Sequence, residues 1–470
     1  MGQEITDSHF SPEDFQEFSR RLECETRLLM EWFADGVFPT GEAVGGFELE
    51  AWLVDDNARP TALNNELIKR LDDPLVVPEL ARFNLELNGE PQLLRAGGLS
   101  RMADELTQTW RRCQQAAGEM DGRLAMIGIL PTVRRSDFSL ANMSSMQRYQ
   151  ALDEQLARLR QGDSVQIDIT GQDHLRFIHS DVMLEAATTS FQIHLKLDPA
   201  SSGRFYNASK ILAAPMVAIS ANSPSLFGSR LWDETRIPLF EQSVSVGDSL
   251  ETKRVTMGTR YISDSIIECF QVNNDRYPVL LPRLMDEGGQ LPHLCLHNGT
   301  IWRWNRPLLG FNEAGVPHLR LEHRVVPAGP SIIDSIANAA FFFGTVTALG
   351  KMVVPPEQRL PFEYVQSNFY RSAEKGLRAD VVWLDGKAVS AVDLCRELLP
   401  LAEQGLEALG VEHQEADHWL GIIHGRLANG QNGASWQRAW VERHGNDSQG
   451  LTEAYLERQE SGRPVHEWSV

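Results

Sequence analysis

The chain is 470 residues long, with 42% hydrophobic and 23% charged residues, a composition that is typical of globular proteins with one to three domains. Its 44 basic and 64 acidic residues give a formal net charge of −20, which argues against a surface that binds nucleic acid or an anionic membrane. The five scattered cysteines form no CxxC pair, which favours reduced thiols over a disulfide framework or a zinc ribbon.

The N-terminal region predicts one helix and no targeting segment. It starts with polar residues rather than with the basic and then apolar run of a signal peptide, and no apolar stretch reaches the ~18 residues of a membrane span. Ser11 and Pro12 are typical of a helix start and Asp35-Gly36 of a helix end, so we predict a helix to about Ala34. These features together predict a cytoplasmic protein.

The segment that follows, residues 45–55, alternates apolar and polar residues and therefore predicts a β-strand. Side chains two positions apart share a strand face, so Glu48 and Glu50 point the same way. Two neighbouring carboxylates repel each other unless a cation lies between them. The strand therefore has either a solvated acidic face or one half of a site for a divalent metal ion.

Three later segments repeat this combination of an apolar face and a polar or charged face. The polar faces carry Asn84, Glu86 and Asn88 in the first segment, Gln192, His194 and Lys196 in the second, and Arg320, Glu322 and Arg324 in the third. The repetition favours one shared polar surface, such as the concave face of a sheet that holds an active site. A local ion pair between Glu322 and Arg324 and a structural role for His194 are the simpler alternatives.

The remaining elements predict an α+β protein. Asn298-Gly299 is typical of a hairpin turn, and the residues from Ile301 to Trp304 are typical of a strand. Strands that are scattered among helices without a βαβ rhythm favour an antiparallel sheet. We expect a single catalytic domain over residues 1–470, with an N-terminal helix in 1–40, a sheet-and-helix core that carries the site in 41–350 and a helical C-terminal part in 351–470.

The polar residue types on these strands suit divalent metal ions and anionic substrates. Carboxylates with one imidazole suit Mg²⁺ or Mn²⁺, whereas zinc would need more histidine or cysteine. Arginines beside the carboxylates suit phosphate or carboxylate groups, which a guanidinium can bind through two hydrogen bonds. Metal ligands and arginines on one surface are the groups that catalyse phosphoryl transfer from a nucleotide. The sequence has neither a Walker loop nor a Rossmann fingerprint, so a nucleotide would bind in another way.

Several motifs occur in a fixed order between about residues 44 and 380. They are Gly46-Phe-Glu48-Leu-Glu50, Asn84-Leu-Glu86-Leu-Asn88, Phe191-Gln192-Ile-His194, the helix-to-loop segment from Ala214-Pro215 to Ser223-Pro224, Trp304-Asn305-Arg306-Pro307, Leu321-Glu322-His-Arg324-Val and the segment from Asn368 to Lys375-Gly376-Leu377. In this order they resemble the glutamate–cysteine ligase family 2, the carboxylate–amine ligases within the glutamine-synthetase-like superfamily.

The resemblance implies a curved, mostly antiparallel sheet of about six strands with helices on its convex side, as in the catalytic domain of glutamine synthetase. It implies a ligase that uses ATP and Mg²⁺ or Mn²⁺ to activate a glutamate-like carboxylate as an acyl phosphate. An amine, cysteine or another amino acid, would then attack to give a γ-glutamyl amide, as in glutathione biosynthesis. The implied metal ligands are Glu48, Glu50, Glu86, His194 and Glu322, the implied catalytic residues are Arg306 and Arg324, and the implied substrate- or nucleotide-binding residues are Asn84, Gln192, Lys196 and Arg303.

The sequence departs from the family pattern in two places. Many members carry a His-x-His pair where this chain has Gln192-Ile193-His194, which puts metal affinity there in question. Residues 232–296 and the part beyond Leu377 do not align, so the acid and the amine stay open. A kinase-like ATP-dependent enzyme and a non-catalytic nucleotide- or ligand-binding member are the alternatives. The expected partners are small molecules rather than nucleic acid or membrane, and a homo-oligomer is left open.

Overall fold

The structure is a computed structural model and describes residues 9–247, 249, 253–285 and 290–470. Its strands are β1 (Val44–Val54), β2 (Val76–Pro78), β3 (Asn84–Asn88), β4 (Gln92–Leu93), β5 (Arg123–Ala125), β6 (Val165–Thr170), β7 (His174–His179), β8 (Phe191–Leu197), β9 (Ser225–Leu226), β10 (Ser229–Arg230), β11 (Asn305–Phe311), β12 (Pro317–His323), β13 (Asp380–Val382) and β14 (Ala388–Ser390). Its α-helices are α1 (Pro12–Ala34), α2 (Asn64–Leu71), α3 (Gly98–Gly118), α4 (Gln147–Leu159), α5 (Ser202–Ser220), α6 (Arg236–Ser243), α7 (Ile267–Arg276), α8 (Pro292–Gly299), α9 (Ile332–Gly350), α10 (Phe362–Lys375), α11 (Ala391–Leu409), α12 (His413–Asn429), α13 (Gly433–His444) and α14 (Ser448–Glu460).

The main sheet is antiparallel and curls into a half-barrel, as the sequence predicts. Its strand order is β11–β12–β8–β1–β3–β2, and the short strands β4 and β5 also pair with β1. Strand β1 lies at the centre because it pairs with β8 on one side and with β3 on the other. The two neighbours of β1 and the next strand, β12, carry the other polar faces that the sequence analysis singled out.

Alternation along the central strands separates an apolar face from a polar face. On the apolar face, Phe47 of β1 stacks against Phe191 of β8 with ring centroids 5.6 Å apart. On the same face of β12, His323 stacks on Phe342 of α9 at 4.2 Å. The apolar face is therefore covered by helices, and the polar face on the other side is left to form the site.

Helix α9 is the central helix of the layer behind the sheet. Its length and hydropathy would allow it to cross a membrane, but 83% of that apolar window is buried within the described part of the protein. Asp334 in its first turn accepts hydrogen bonds from Arg426 of α12, with Nη2 to Oδ1 at 2.7 Å, and from the backbone N–H of Val465. The helix is therefore a buried core helix, and its buried ion pair with Arg426 holds α12 against it.

The predicted hairpin turn at Asn298-Gly299 is wrong, and so is the predicted strand from Ile301 to Trp304. Asn298 and Gly299 form the last turn of α8, and the next strand begins only at Asn305. Pro292 occupies the first turn of that helix, where a missing N–H costs nothing, and Gly299 ends it. The Asn298 amide donates to the carbonyl of Pro307, so it joins the helix end to β11 rather than making a hairpin.

Candidate active site

Strand β1 supplies carboxylates to two separate clusters. Glu48 and Glu50 point to the same face, but Glu48 is in register with Gln192 of β8 whereas Glu50 is in register with Glu86 of β3. On the far side of β8, His194 is in register with Glu322 of β12. The antiparallel register therefore brings four polar strand faces, widely separated in sequence, onto one surface.

The first cluster, which we call the histidine cluster, consists of Glu48, His194 and Glu322. Each residue offers one ligand atom, and these atoms lie within 4.8 Å of one another. The Nε2 atom of His194 lies 3.5 Å from a Glu48 oxygen and 3.8 Å from a Glu322 oxygen. That nitrogen is buried and has no hydrogen-bond partner among the described residues, which is unfavourable unless a ligand or ion occupies the space. Two carboxylates and one imidazole fit Mg²⁺ or Mn²⁺.

The second cluster, which we call the carboxylate cluster, consists of Glu50, Glu79 and Glu86, with ligand oxygens again within 4.8 Å of one another. Burial and the neighbouring Glu79 carboxylate raise the pKa of Glu50 to about 7. Burial and the Glu48 and Glu79 carboxylates raise the pKa of Glu86 well above its ordinary value. One oxygen of Glu86 is buried without a partner in the described chain. Three carboxylates in this arrangement fit a divalent cation, which would let all three ionise.

Glu79 was not among the predicted site residues. It follows β2 directly and lies before β3, outside any alternating strand, so period-two analysis could not find it. The signal that could have found it is its position just after Pro78, within the turn that returns the chain to Glu86.

Two arginines bind the carboxylate of Glu322, Arg306 from the adjacent strand β11 and Arg324 from just beyond the end of β12. The Arg306 guanidinium donates to Glu322 at 2.6 Å, and the Arg324 guanidinium donates to the other Glu322 oxygen at 2.9 Å. Burial alone would raise the pKa of Glu322, but the two guanidinium groups hold it well below its usual range. Glu322 is therefore ionised throughout the physiological range and neutralises part of the arginine charge.

Gln192 links the carboxylate cluster to these arginines. Its amide nitrogen donates to Glu50 at 2.8 Å, and its amide oxygen accepts from Arg324 at 2.5 Å. The backbone N–H of Ser190 donates to the second Glu50 oxygen at 2.7 Å. The amide that replaces a histidine is therefore a hydrogen-bonding bridge, and it belongs to neither cluster of metal-ligand atoms.

Two cavities open onto this surface and meet at Glu48, Phe311 and Arg320. The arginine cavity, of about 340 Å³, is lined by the carboxylate cluster, Gln192 and the four arginines Arg148, Arg306, Arg320 and Arg324. The glycine cavity, of about 350 Å³, is lined by Gly45, Gly46, Gly89, His194 and Lys196, among others. The histidine cluster lies where the two cavities adjoin, because Glu48 lines both and His194 lines the second.

The model of the glutamate–cysteine ligase family 2 matches residues 44–457. The chain belongs to this family. No curated protein matches the sequence. A glutamate–cysteine ligase from Francisella tularensis, solved in complex with AMP, is similar in structure with a TM-score of 0.54 and 13% identity, over 92% of this chain and 90% of that one.

A second solved structure, a bifunctional glutathione synthetase from Pasteurella multocida, has a TM-score of 0.55 and 11% identity. The match covers 93% of this chain but only 55% of the synthetase, so the chain spans about half the length of that enzyme. At these identities the two structures show the fold. They share with this chain an overall arrangement of helices around a curled antiparallel sheet. The family match supports the coarse activity class, that of a carboxylate–amine ligase.

Three other residues that the family resemblance implied lie in different surroundings. Lys196 lines the glycine cavity, beside its register partner Arg320. Asn84 is buried on β3, two residues before Glu86, and does not line either cavity. Arg303 is also outside both linings and donates to the Asn273 side chain at 2.6 Å. Of these three residues, only Lys196 lines one of the two cavities, and Asn84 and Arg303 line neither.

The structure adds three residues at one end of the arginine cavity that the sequence analysis missed. They are Arg148 and Tyr149 at the start of α4 and Glu185 in the 3₁₀ helix Val182–Ala187. Burial, then the Glu79 and Glu50 carboxylates, raise the pKa of Glu185 to about 8. None of the three lies on a strand of the sheet, so no alternation pattern pointed to them.

Proposed function

We propose that the protein is an ATP- and Mg²⁺-dependent carboxylate–amine ligase of the glutamate–cysteine ligase type. The carboxylate of a glutamate-like acid attacks the γ-phosphorus of ATP, which gives an acyl phosphate and ADP. The amine nitrogen then attacks the acyl carbon, phosphate leaves, and the nitrogen loses a proton to give the amide. The observation that supports this proposal is the pairing of two clusters of metal-ligand side chains with Arg306 and Arg324 around one cavity.

We propose two sets of metal ligands, one for each cluster. Glu48, His194 and Glu322 would hold one ion, and Glu50, Glu79 and Glu86 would hold a second. Divalent ions bound there would neutralise charge on phosphate oxygens during the transfer. Glu79 joins the metal ligands that the sequence implied, while Gln192 is assigned to hold Glu50 and Arg324 in place.

The arginines are assigned to the anionic groups that react. Arg306 and Arg324 line the cavity and share Glu322, so each guanidinium is oriented by a charged hydrogen bond before substrate binds. Oriented cations of this kind stabilise negative charge that develops on the acyl phosphate without reorganising. The Nε atoms of both arginines are buried without partners in the described part of the chain, which is consistent with a bound anion nearby.

The nucleotide is assigned to the glycine cavity. Gly46 adds no side chain to the sheet face that carries His194, and Lys196, Arg320 and His318 supply positive or polar groups. The cavity adjoins the histidine cluster, so a nucleotide there would direct its phosphates toward Glu48 and His194. The acid and the amine are then left with the arginine cavity, on the side of the carboxylate cluster.

A direct test of the proposal traces the carboxylate oxygen of the acid into the phosphate product. The full-length protein is incubated with Mg²⁺–ATP, an amine and glutamate whose γ-carboxylate carries ¹⁸O, and the inorganic phosphate is analysed by mass spectrometry. Transfer of one ¹⁸O to phosphate is expected, because the acyl phosphate oxygen that bridges carbon and phosphorus comes from the acid. Phosphate that contains only unlabelled oxygen would contradict the proposal.

The same reaction separates the alternative functions. A stable phosphorylated product that accumulates without an amine would favour a kinase-like enzyme, and binding of Mg²⁺–ATP without turnover would favour a non-catalytic member. Arg306→Lys serves as the site variant, since lysine cannot reproduce the paired hydrogen bonds of a guanidinium. Arg111→Lys is the matched control, since Arg111 is exposed on α3.

A further inference from the structure

A buried lysine that lines neither cavity of the candidate site lacks an acidic partner. Lys210 of α5 is 3% exposed, and its Nζ lies 4.8 Å from the centre of the Tyr206 ring and 5.1 Å from that of Phe362. Nζ donates one hydrogen bond, to the carbonyl of Arg260 at 2.9 Å, and it forms no ion pair within the part of the chain that the structure describes. Surroundings of this kind stabilise the ammonium form of a lysine only weakly.

A second buried group, the guanidinium of Arg303, lies close to the same amine. It is 7% exposed, its Nη2 donates to the Asn273 side chain at 2.6 Å, and it lies over the Tyr277 ring, 5.5 Å from the centroid. Its Nε is buried without a partner, and its Nη1 makes no hydrogen bond to any described residue. Because arginine stays protonated at physiological pH, this group is a buried cation without an anionic partner among the described residues.

Gly258 leaves an open space between the lysine and the arginine. Its φ is +83°, and the Cβ of a side chain at this position would lie 3.3 Å from Lys210 Nζ and 3.6 Å from Arg303 Nη1. Apart from the two residues adjacent to Gly258 in the chain, no other atom of the described residues lies within 4 Å of that point. An amine and a guanidinium therefore face one small space that no side chain of the described residues fills.

The loop that bounds this space is held in place by two elements. The carbonyl of Gly258 accepts a hydrogen bond from Gln366 of α10 at 2.9 Å. The Asn207 side chain of α5 donates to the carbonyl of Ile262 at 2.9 Å and accepts from its N–H at 3.0 Å. The fold therefore sets the geometry of the space, while Thr259, the next residue along the loop, is exposed to solvent.

We propose that Lys210 is a carbamylation site, at which its amine combines with CO₂ and the resulting carbamate is held by Arg303. The lone pair of Nζ attacks the carbon of CO₂, and an N–C bond forms. One C=O π bond of CO₂ becomes the C–O⁻ of the carbamate, and the nitrogen releases one proton to solvent. The carbamate would occupy the space beside Gly258 and supply the anionic partner for the guanidinium.

The charges around Lys210 favour the neutral amine that this reaction requires. Burial lowers the pKa of Lys210 to about 7, and the Arg303 and Arg260 guanidinium groups act in the same direction. Cys269 and Glu268 act against them, but the Glu268 carboxylate already accepts a hydrogen bond from Arg260 at 3.2 Å. About half of the amine is thus neutral near pH 7, against roughly one part in a few thousand for an exposed lysine with the ordinary pKa of about 10.4.

The test traps the carbamate on the full-length protein. The protein is equilibrated with ¹³C-labelled bicarbonate and CO₂ near neutral pH and treated with triethyloxonium ion, which converts a carbamate into a stable ethyl carbamate. Peptide mass spectrometry then measures the labelled fraction at each lysine. A synthetic peptide with a free α-amino group, whose pKa is about 8, is the positive control for trapping. The exposed Lys69 and Lys351 are the internal negative controls.

The label on Lys210 should exceed that on either exposed lysine by at least about tenfold, because far more of its amine is neutral. Arg303→Met should reduce the label on Lys210 by roughly tenfold, since the carbamate loses its charged hydrogen-bond donor. Arg111→Met, at an exposed position of α3, should leave the label unchanged. Added CO₂ at constant pH and ionic strength should raise the melting temperature of the wild type but not that of Lys210→Arg or Lys210→Met.

Three results would overturn the proposal. The first is an unlabelled Lys210 in a sample whose control peptide is labelled. The second is equal label on Lys210 and the exposed lysines, or label that Arg303→Met leaves unchanged. The third is a rise in melting temperature that chloride or sulfate reproduces without label on Lys210, which would assign the space to a bound anion. The ligase function is tested separately by oxygen transfer, so either proposal can fail without the other.

Discussion

Glu48 and Glu50 are two residues apart on one strand face, yet their carboxylates belong to different clusters. Glu48 lies beside His194 and Glu322 on one side of β1, and Glu50 lies beside Glu79 and Glu86 on the other. The separation follows from the register, because β8 and β12 flank one side of β1 and β3 flanks the other. One strand therefore organises two adjoining sites for cations.

The first prediction concerns the number of bound metal ions. Wild-type protein with a non-hydrolysable ATP analogue should bind two Mn²⁺ ions, and Glu48→Gln and Glu50→Gln should each lose a different one, because a neutral amide is a poorer ligand than a carboxylate. Isothermal titration calorimetry measures the stoichiometry, with Glu407→Gln as the exposed control. The loss of both ions in each single variant would show that the two clusters form one indivisible site.

The second prediction concerns Gln192. Gln192→Leu keeps a similar volume but leaves the buried Glu50 and Arg324 groups without this partner, which should cost roughly 2–4 kcal/mol of stability. The KM of the acid should also rise, since Arg324 loses one of the hydrogen bonds that orient it. Urea denaturation and steady-state kinetics measure the two effects. Stability and acid KM equal to those of the wild type would contradict the bridging role.

The third prediction concerns pH. The pKa of Glu185 is raised to about 8 in the folded protein. Its carboxyl group therefore keeps a proton at pH values where the same group in the unfolded chain, with the ordinary pKa of glutamate, has already lost it. The stability that this group contributes is therefore full below that ordinary pKa and is lost as the pH rises through about 8. Glu185→Gln cannot ionise, so without metal its melting temperature should increasingly exceed that of the wild type as the pH rises.

Thermal denaturation in EDTA between about pH 5 and about pH 9 measures this difference. The wild type and Glu185→Gln should agree at the acidic end and diverge toward the basic end. A difference that is constant over the whole range would contradict the raised pKa. Glu407→Gln, which is exposed, should follow the wild type throughout.

The fourth prediction concerns the attachment of the C-terminal helices. Arg426 and Asp334 form an ion pair with side chains at most 1% exposed, so Arg426→Met leaves an unpaired buried carboxylate and should cost about 3–5 kcal/mol. The exposed pair of Arg95 and Glu42 is the matched comparison, and Arg95→Met should change stability by less than about 1 kcal/mol. Chemical denaturation measures both. Equal small effects would show that the buried pair does not hold α12 to α9.

Alternation along strands made much of this site predictable. Glu48, Glu50, Glu86, His194 and Glu322 all lie on strands, and the structure places all five in the two clusters. The sheet itself was predicted for the same reason. Apolar residues at every second position give a strand one apolar face, and other elements of the protein must cover that face.

The residues that could not be predicted lie where no periodicity applies. Glu79 lies in a turn, Glu185 lies in a 3₁₀ helix, and Arg148 lies at a helix start, so only the tertiary fold brings them to the cavity. The error at Asn298-Gly299 has a related cause. The same dipeptide suits a hairpin turn and the last turn of a helix, and the choice depended on the contact between Asn298 and the carbonyl of Pro307.

The central claim, that the sheet carries two adjoining cation sites, is tested most directly by anomalous X-ray scattering from crystals grown with Mn²⁺ and a non-hydrolysable ATP analogue. The account predicts two manganese peaks, one bounded by Glu48, His194 and Glu322 and the other by Glu50, Glu79 and Glu86. Manganese bound elsewhere, or neither cluster occupied at saturating Mn²⁺, would contradict it.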